Sequence, residues 1–330
     1  MKIFLTGADG LLGNNLVRRL LEKEYTVKVF IQKGKKLDYL EGCDVEVFYG
    51  DILNYDELNA AMAGSDVVIH AAALTNTWPN TGKLYYTVNV DGTANVIKAV
   101  QANKVARLLH IGTSNSFGAG SKDNPGTETN PFVADKYGLD YITSKYVAHE
   151  LVLKHVKEDG LPAVILNPTF MIGPFDVKPS SGKMLLSVAT GKVPGYAAGG
   201  RNFVYVNDVA NAIVNAITKG RIGEGYILGS TNLSYQEMFT KTAKIFGTKA
   251  PTLRIPPFAT SIYGGALSLF GKLFKFEPVV SYPLARISNE DHYYSCAKAV
   301  KELDMPQTDL DFAINEAKEW FIKEGYYTEK

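Results

Sequence analysis

Residues 6–13 read TGADGLLG, which sets Gly7, Gly10 and Gly13 between an apolar run, KIFLT (2–6), and a helix-periodic segment beginning NNLVRRLLEK. A tight turn there needs positive backbone dihedrals, a close approach of backbone to ligand, and close packing of helix on strand, all of which glycine permits. The helix that follows offers free N–H groups and the positive end of its dipole, a seat for a pyrophosphate. Strand, glycine triplet and helix in this order predict the first β-α unit of a dinucleotide-binding domain, with Gly7, Asp9, Gly10, Leu11 and Leu12 around the phosphates.

The rest of the first half repeats that alternation. Apolar runs at 26–31, 45–50, 66–72, 107–113 and 162–168 are separated by helix-length periodic segments at 11–23, 54–63, 84–103 and 137–157. Such alternation predicts β-α-β units, and runs apolar at consecutive positions predict strands covered on both faces. The expected fold class is α/β, a Rossmann-type doubly wound parallel sheet over residues 1–168. After Pro168 glycine and proline become frequent, as in GPFDVKPSSGK (173–183), and a last helix is expected at 311–325. Residues 169–330 are read as a smaller C-terminal substrate-binding region, some of whose segments return to the main domain.

Composition excludes several classes. Apolar residues make up 46% and charged residues 21%, which rules out a disordered chain. A net charge of +1, with KGKK (33–36) the one basic run, argues against a nucleic-acid partner. Cys43 and Cys296 are too few for a disulfide framework and match no metal spacing, which suits a reducing cytoplasm. The uncharged stretch IPPFATSIYGGALSLFG (255–271) is marginal for a membrane span and is expected to be a buried or lid helix, with membrane association the less favoured alternative.

Two further segments extend the cofactor site. In GDILNYDEL (50–58), Asp51 would accept from an adenine amino group and Ile52 would pack on the ring. An acidic residue at the end of the second strand would grip the ribose 2′-hydroxyl of NAD, and none occurs from Val27 to Lys36. Gln32 and Lys33, with Lys35 or Lys36, face that region instead, so NADP(H) is favoured, with NAD(H) the alternative. RLLHIGTSNSFG (107–118) ends a strand in hydroxyl residues, and ligands in such sheets bind beyond the carboxyl ends of strands. Thr113 and Ser114 therefore stand where a substrate meets the nicotinamide. On the next long helix, YITSK sets Tyr141 and Lys145 one turn apart. The same spacing at Tyr294/Lys298 and Tyr326/Lys330 lacks such neighbours and reads as surface or packing.

Taken in order, TGADGLLG, GDILNYDEL, HAAA (70–73), VNVDGTANV (88–96), HIGTSNSFG, YITSK, NPTFMIGP (167–174) and RNFVYVNDVA (201–210) resemble the extended short-chain dehydrogenases/reductases, the NAD(P)-dependent epimerase/dehydratase superfamily. YITSKYVAHE and the chain's ending are most similar to the dihydroflavonol-4-reductase-like branch, and NPTFMIGPFDVKPSSGK resembles hopanoid-associated sugar epimerases. The resemblance implies Tyr141 as catalytic acid/base with Lys145 as its partner, Thr113 as the catalytic hydroxyl, and Asn89 holding a proton-relay water. It places Ala71, Ala72, Ala73 and Pro168 along the cofactor. It also implies reduction of a ketone or aldehyde and a homodimer through the helices at 84–103 and 137–157. Lys145 would stabilise the phenolate of Tyr141 and so lower its pKa. Trp78, Phe170 and Arg201 are candidate substrate contacts, with Met171, Tyr196 and Phe203 as pocket wall, Arg286 a weaker substrate candidate, His110 a satisfied core histidine, and His70 packing beside the cofactor. A nucleotide-sugar epimerase or dehydratase retaining NAD, and a non-catalytic dinucleotide sensor, are the competing functions.

Overall fold

The computed structural model describes residues 1–35 and 37–329; Lys36 and Lys330 lie outside the described residues. Eleven strands are described: β1 (Lys2–Thr6), β2 (Thr26–Gln32), β3 (Val45–Gly50), β4 (Val67–His70), β5 (Arg107–Ile111), β6 (Ala163–Pro168), β7 (Phe170–Ile172), β8 (Gly200–Tyr205), β9 (Gly225–Leu228), β10 (Thr231–Ser234) and β11 (Asp291–His292). Seven form a parallel sheet in the order β3-β2-β1-β4-β5-β6-β9, a Rossmann-type doubly wound arrangement. Chain order reverses between β1 and β4, so their carboxyl ends open the crevice where ligands bind such sheets.

The burial explains the apolar runs. β4 and β6 are buried at every position, because helices cover both faces of the sheet. On one face the helix Leu11–Glu22 buries Leu12, Leu16, Val17 and Leu20 and packs beside Val206–Lys219. On the other, Val96, Ile97, Val100 and Val152 meet Phe4, Val68 and Leu108. The smaller sheet pairs β8 with β10 on one edge and with β7 and β11 on the other. β9, far along the chain, joins the main sheet beside β6.

Three elements differ from expectation. The helix expected over 84–103 is interrupted by a π-turn at Thr87–Asp91, the kind of irregularity that often marks a functional site, and it carries Asn89. The helix expected from 137 begins at Asp140, because Gly138 takes a left-handed conformation (φ 65°) that ends the preceding 3-10 turn. The buried helix expected at 255–271 is a helix over Pro257–Phe274 whose large apolar side chains face solvent, with Phe258 and Ile262 each 69% exposed. Only small residues, Gly264, Ser268 and Gly271, are buried on it. Among the described residues, no helix is long and apolar enough to cross a membrane.

Candidate active site

The phosphate loop separates the duties of its glycines. Gly7 has φ +78°, and a Cβ there would lie 2.6 Å from the Ala72 nitrogen. At Gly13 a Cβ would lie 2.0 Å from the Gly7 carbonyl oxygen. Both are therefore demanded by the packing of loop on strand and helix. Gly10 is different: a Cβ would meet nothing closer than 3.7 Å, and its φ of −93° suits any residue. The helix it opens has no side-chain cap and no acidic residue in its first turn. That combination, a cradle kept clear with unanswered N–H groups, fits a dinucleotide pyrophosphate. Gly10→Ala should accordingly leave the melting temperature unchanged and weaken nicotinamide-dinucleotide binding about tenfold, read by titration calorimetry.

Around the ribose the structure adds an acid that the sequence reading missed. Glu57 accepts from the Lys33 ammonium and from the Asp51 backbone N–H (3.1 Å), and the Lys33 contact holds its carboxyl below the ordinary range. Gln32, at the exposed end of β2, and Lys35, 3.9 Å from Asp9, complete the rim. Asp51 also accepts from the Leu53 N–H at 3.0 Å, and Ile52 lies where Gly92 leaves room for it. A Gly92 Cβ would meet Ile52 at 2.7 Å.

At the carboxyl end of β5 the reactive groups converge. Thr113, Ser114 and Lys145 are buried, and the Tyr141 phenol sits against the Thr113 hydroxyl. Lys145 donates to the Ile111 carbonyl oxygen at 2.6 Å, and burial lowers its pKa to about 8. The Tyr141 pKa is raised, because burial outweighs the lowering influence of Thr113 and then of the Arg201 cation. The expectation that Lys145 lowers it is corrected here: the ammonium is drawn to a backbone carbonyl, and the cation acting on the phenol is Arg201. Asn89 is fully engaged, accepting from the Leu74 N–H at 2.7 Å and donating to the Leu74 carbonyl and to Ser144 Oγ. It thereby ties the loop after β4 to the catalytic helix.

Behind Lys145 lie three buried histidines. His70 bonds Thr6 Oγ1 at 2.8 Å and Thr93 Oγ1 at 3.1 Å. His110 lies in the core as expected, and neither ring nitrogen has a protein partner among the described residues. Burial and then the Lys145 charge lower the pKa of His70 to about 3 and that of His110 well below its ordinary value; burial lowers that of His149 to about 4. Depressed histidine values mean that the unfolded chain binds more protons. The contribution of the histidines to stability should thus level off above pH 6.5 and fall as pH drops from 6.5 towards 4, each group adding up to about 1.4 kcal/mol per pH unit. Urea unfolding across that range checks the slope.

Beyond these groups the cleft is bordered in part by residues of the C-terminal region. Arg201 donates through Nε to Tyr235 Oη at 2.7 Å and lies 5.4 Å over the Phe170 ring. Beside it, Tyr137 donates to Glu290 at 2.7 Å, and His292, its Nδ1 unpartnered, stands 3.4 Å from the same phenol. A small cavity of about 60 Å³ is lined by Asn115, Phe117, Tyr137, His292 and Tyr294 among others. Tyr294, read from sequence as surface or packing, is buried there and donates to the Phe117 carbonyl oxygen at 3.4 Å. Phe203, expected in the pocket wall, is wholly buried in the core against Phe170, while Tyr196 packs in a separate cluster with Tyr235 and Phe239. Arg286 donates to the Lys136 carbonyl at the rim, and Trp78 packs against Gly271 of the exposed helix.

Comparison with known proteins gives a consistent family. The sequence model of the NAD dependent epimerase/dehydratase family matches residues 3–229. A Synechocystis sp. protein named after dihydroflavonol 4-reductase is 30% identical over 98% of this chain and 95% of its own length. Sterol demethylase protein B of Methylococcus capsulatus is 29% identical over 98% of this chain and 99% of its own. The crystal structure of gox2253 superposes with a TM-score of 0.87, at 29% identity and 99% coverage of both chains.

Proposed function

Because the chain belongs to the NAD dependent epimerase/dehydratase family and is an oxidoreductase of the NAD(P)-dependent short-chain type, we propose that it is an NADP(H)-dependent reductase of a ketone or aldehyde. The observation that carries this reading is the meeting of the Tyr141 phenol, the Thr113 hydroxyl and the buried Lys145 ammonium beside the phosphate loop.

The bound nicotinamide would supply the hydride, and the chain's own groups handle charge and proton. As hydride arrives at a carbonyl carbon, negative charge develops on its oxygen. Thr113 donates a hydrogen bond that strengthens with that charge, and Tyr141 gives up its proton. A raised pKa keeps Tyr141 protonated at neutral pH, the state a reductase needs. The charge left on the phenolate is answered by Arg201, and Lys145, a turn further along the helix, would hold the nicotinamide ribose. Asn89 acts through others, fixing the loop after β4 on Ser144.

Lys33 and Lys35 support a 2′-phosphate, with Glu57 holding Lys33 in place, while β2 ends without an acid to select a free 2′-hydroxyl. NADPH should raise the melting temperature more than NADH, and Lys33→Ala with Lys35→Ala should erase that difference; equal stabilisation by both cofactors in the parent protein would sink the preference. The competing epimerase or dehydratase reading draws its support from the Arg201 cation, the kind of group that would answer a substrate phosphate. A homodimer through the helices that carry Leu84 and Val147, both exposed, remains part of the proposal.

A further inference from the structure

The helix Pro257–Phe274 is amphipathic in the inverse sense to an ordinary surface helix. Phe258, Ile262, Leu269, Phe270, Leu273 and Phe274 are between 49% and 69% exposed. At 3.6 residues per turn they fall within one arc of about 160°. The opposite arc holds Gly264, Ser268 and Gly271, the three buried residues, so the helix lies close on the body through its small side chains. A Cβ on Gly264 would meet Ala285 at 2.6 Å, and one on Gly271 would meet Trp78 at 3.1 Å. A helix normally turns its large apolar face inward. This one is anchored by the small face and offers the large one to the outside.

The charges around it carry the argument to a partner. From Gly247 to Phe276 the sequence contains no acidic residue, and its only charges are Lys249, Arg254, Lys272 and Lys275, all exposed. Glu277 follows directly but is paired with Lys183 at 3.9 Å. The apolar face thus lies in a segment of four cations and no acid, which is complementary to an anionic lipid surface, where the side chains sink to the acyl boundary and the cations meet headgroups. A second copy of the chain fits worse, since a twofold contact through this face would bring the same four cations together. With 18 residues and no spanning segment, the helix would lie in the interface plane.

We propose that Pro257–Phe274 docks the protein on the surface of an anionic bilayer. The helix rests on Tyr282–Ser288 and on Trp78, and Asn289 ties its first turn to the segment bearing Glu290 and His292, so docking brings the mouth of the substrate cleft to the lipid. Resting on the reductase reading above, the substrate would then be a carbonyl compound that partitions into membranes.

Sedimentation of the purified protein with vesicles of equal parts phosphatidylcholine and phosphatidylglycerol tests this. The parent protein should pellet with them, less so at high salt and less with phosphatidylcholine alone. Phe258→Ser/Ile262→Ser/Leu273→Ser should weaken partitioning about a hundredfold with no loss of melting temperature, since those side chains touch water. Lys272→Glu/Lys275→Glu should weaken it about tenfold or more on the anionic vesicles only. Tyr141→Phe should pellet like the parent, which separates failure of docking from failure of the catalytic assignment. Protein that stays in the supernatant with anionic vesicles overturns the proposal. So does a parent protein whose solution dimer falls to monomer on the serine substitutions, which would make the face a contact between copies.

Discussion

Tyr141→Phe should lower turnover by about 10² to 10⁴ while leaving cofactor binding and melting temperature close to those of the parent. The phenol is set against Thr113 at the carboxyl end of β5, and a phenylalanine fills the same space without the proton. Initial rates with a carbonyl substrate found by screening would check the loss. The pH profile is a second readout. Burial raises the Tyr141 pKa, so reduction should hold steady across neutral pH and decline only in alkali, whereas oxidation of the corresponding alcohol should accelerate with pH as phenolate becomes available. A parent-like rate in the variant would remove Tyr141 from the chemistry.

The second large effect belongs to the phosphate loop. Gly13→Ala places a methyl group 2.0 Å from the Gly7 carbonyl oxygen and 2.6 Å from Ala8 Cα, both backbone atoms that no rotamer change can move. The loop must shift as a unit, at a cost of about 1–3 kcal/mol. The melting temperature should fall by several degrees, and stabilisation by NADP(H) should disappear, because the turn that presents the helix N-terminus is displaced. Set beside Gly10→Ala, which should weaken binding without unfolding anything, the pair separates glycines that build the loop from the glycine that admits the ligand. Thermal shift with and without NADPH distinguishes them.

How much of this was legible from the residues depends on the range of the interaction that fixes each part. The six runs read as strands are strands because a parallel sheet is covered on both faces, which leaves an unbroken apolar signature in β4 and β6. The phosphate loop was legible because its glycines act within eight residues of chain. Arg201, Tyr137, Glu290 and His292 were not legible as a group. They come together only because β11 pairs with β8 across some ninety positions, and nothing local announces that pairing. Glu57 escaped notice because it serves as an acidic first-turn residue of its own helix as well as reaching Lys33.

Two readings show where apolar character falls short as a guide. His110 is indeed interior, yet neither ring nitrogen has a partner among the described residues. For residues 255–271 the absence of charge suggested a buried or lid helix, and hydrophobicity alone does not say which way a helix faces. The signal was present in the spacing of Gly264, Ser268 and Gly271, which recur on one face while Phe258, Ile262, Leu269 and Leu273 fall on the other. Small residues at helical intervals mark the side that packs closely.

The central claim, a reductase that exchanges NADP(H), is tested most directly by the nucleotide released when the freshly purified protein is denatured, read together with thermal stabilisation of the same preparation. The account predicts no stoichiometric nucleotide in the supernatant, and a larger rise in melting temperature with NADPH than with NADH. Tightly held NAD in near-equal amount to protein would contradict it and turn the assignment to an epimerase or dehydratase that returns its hydride to the same substrate.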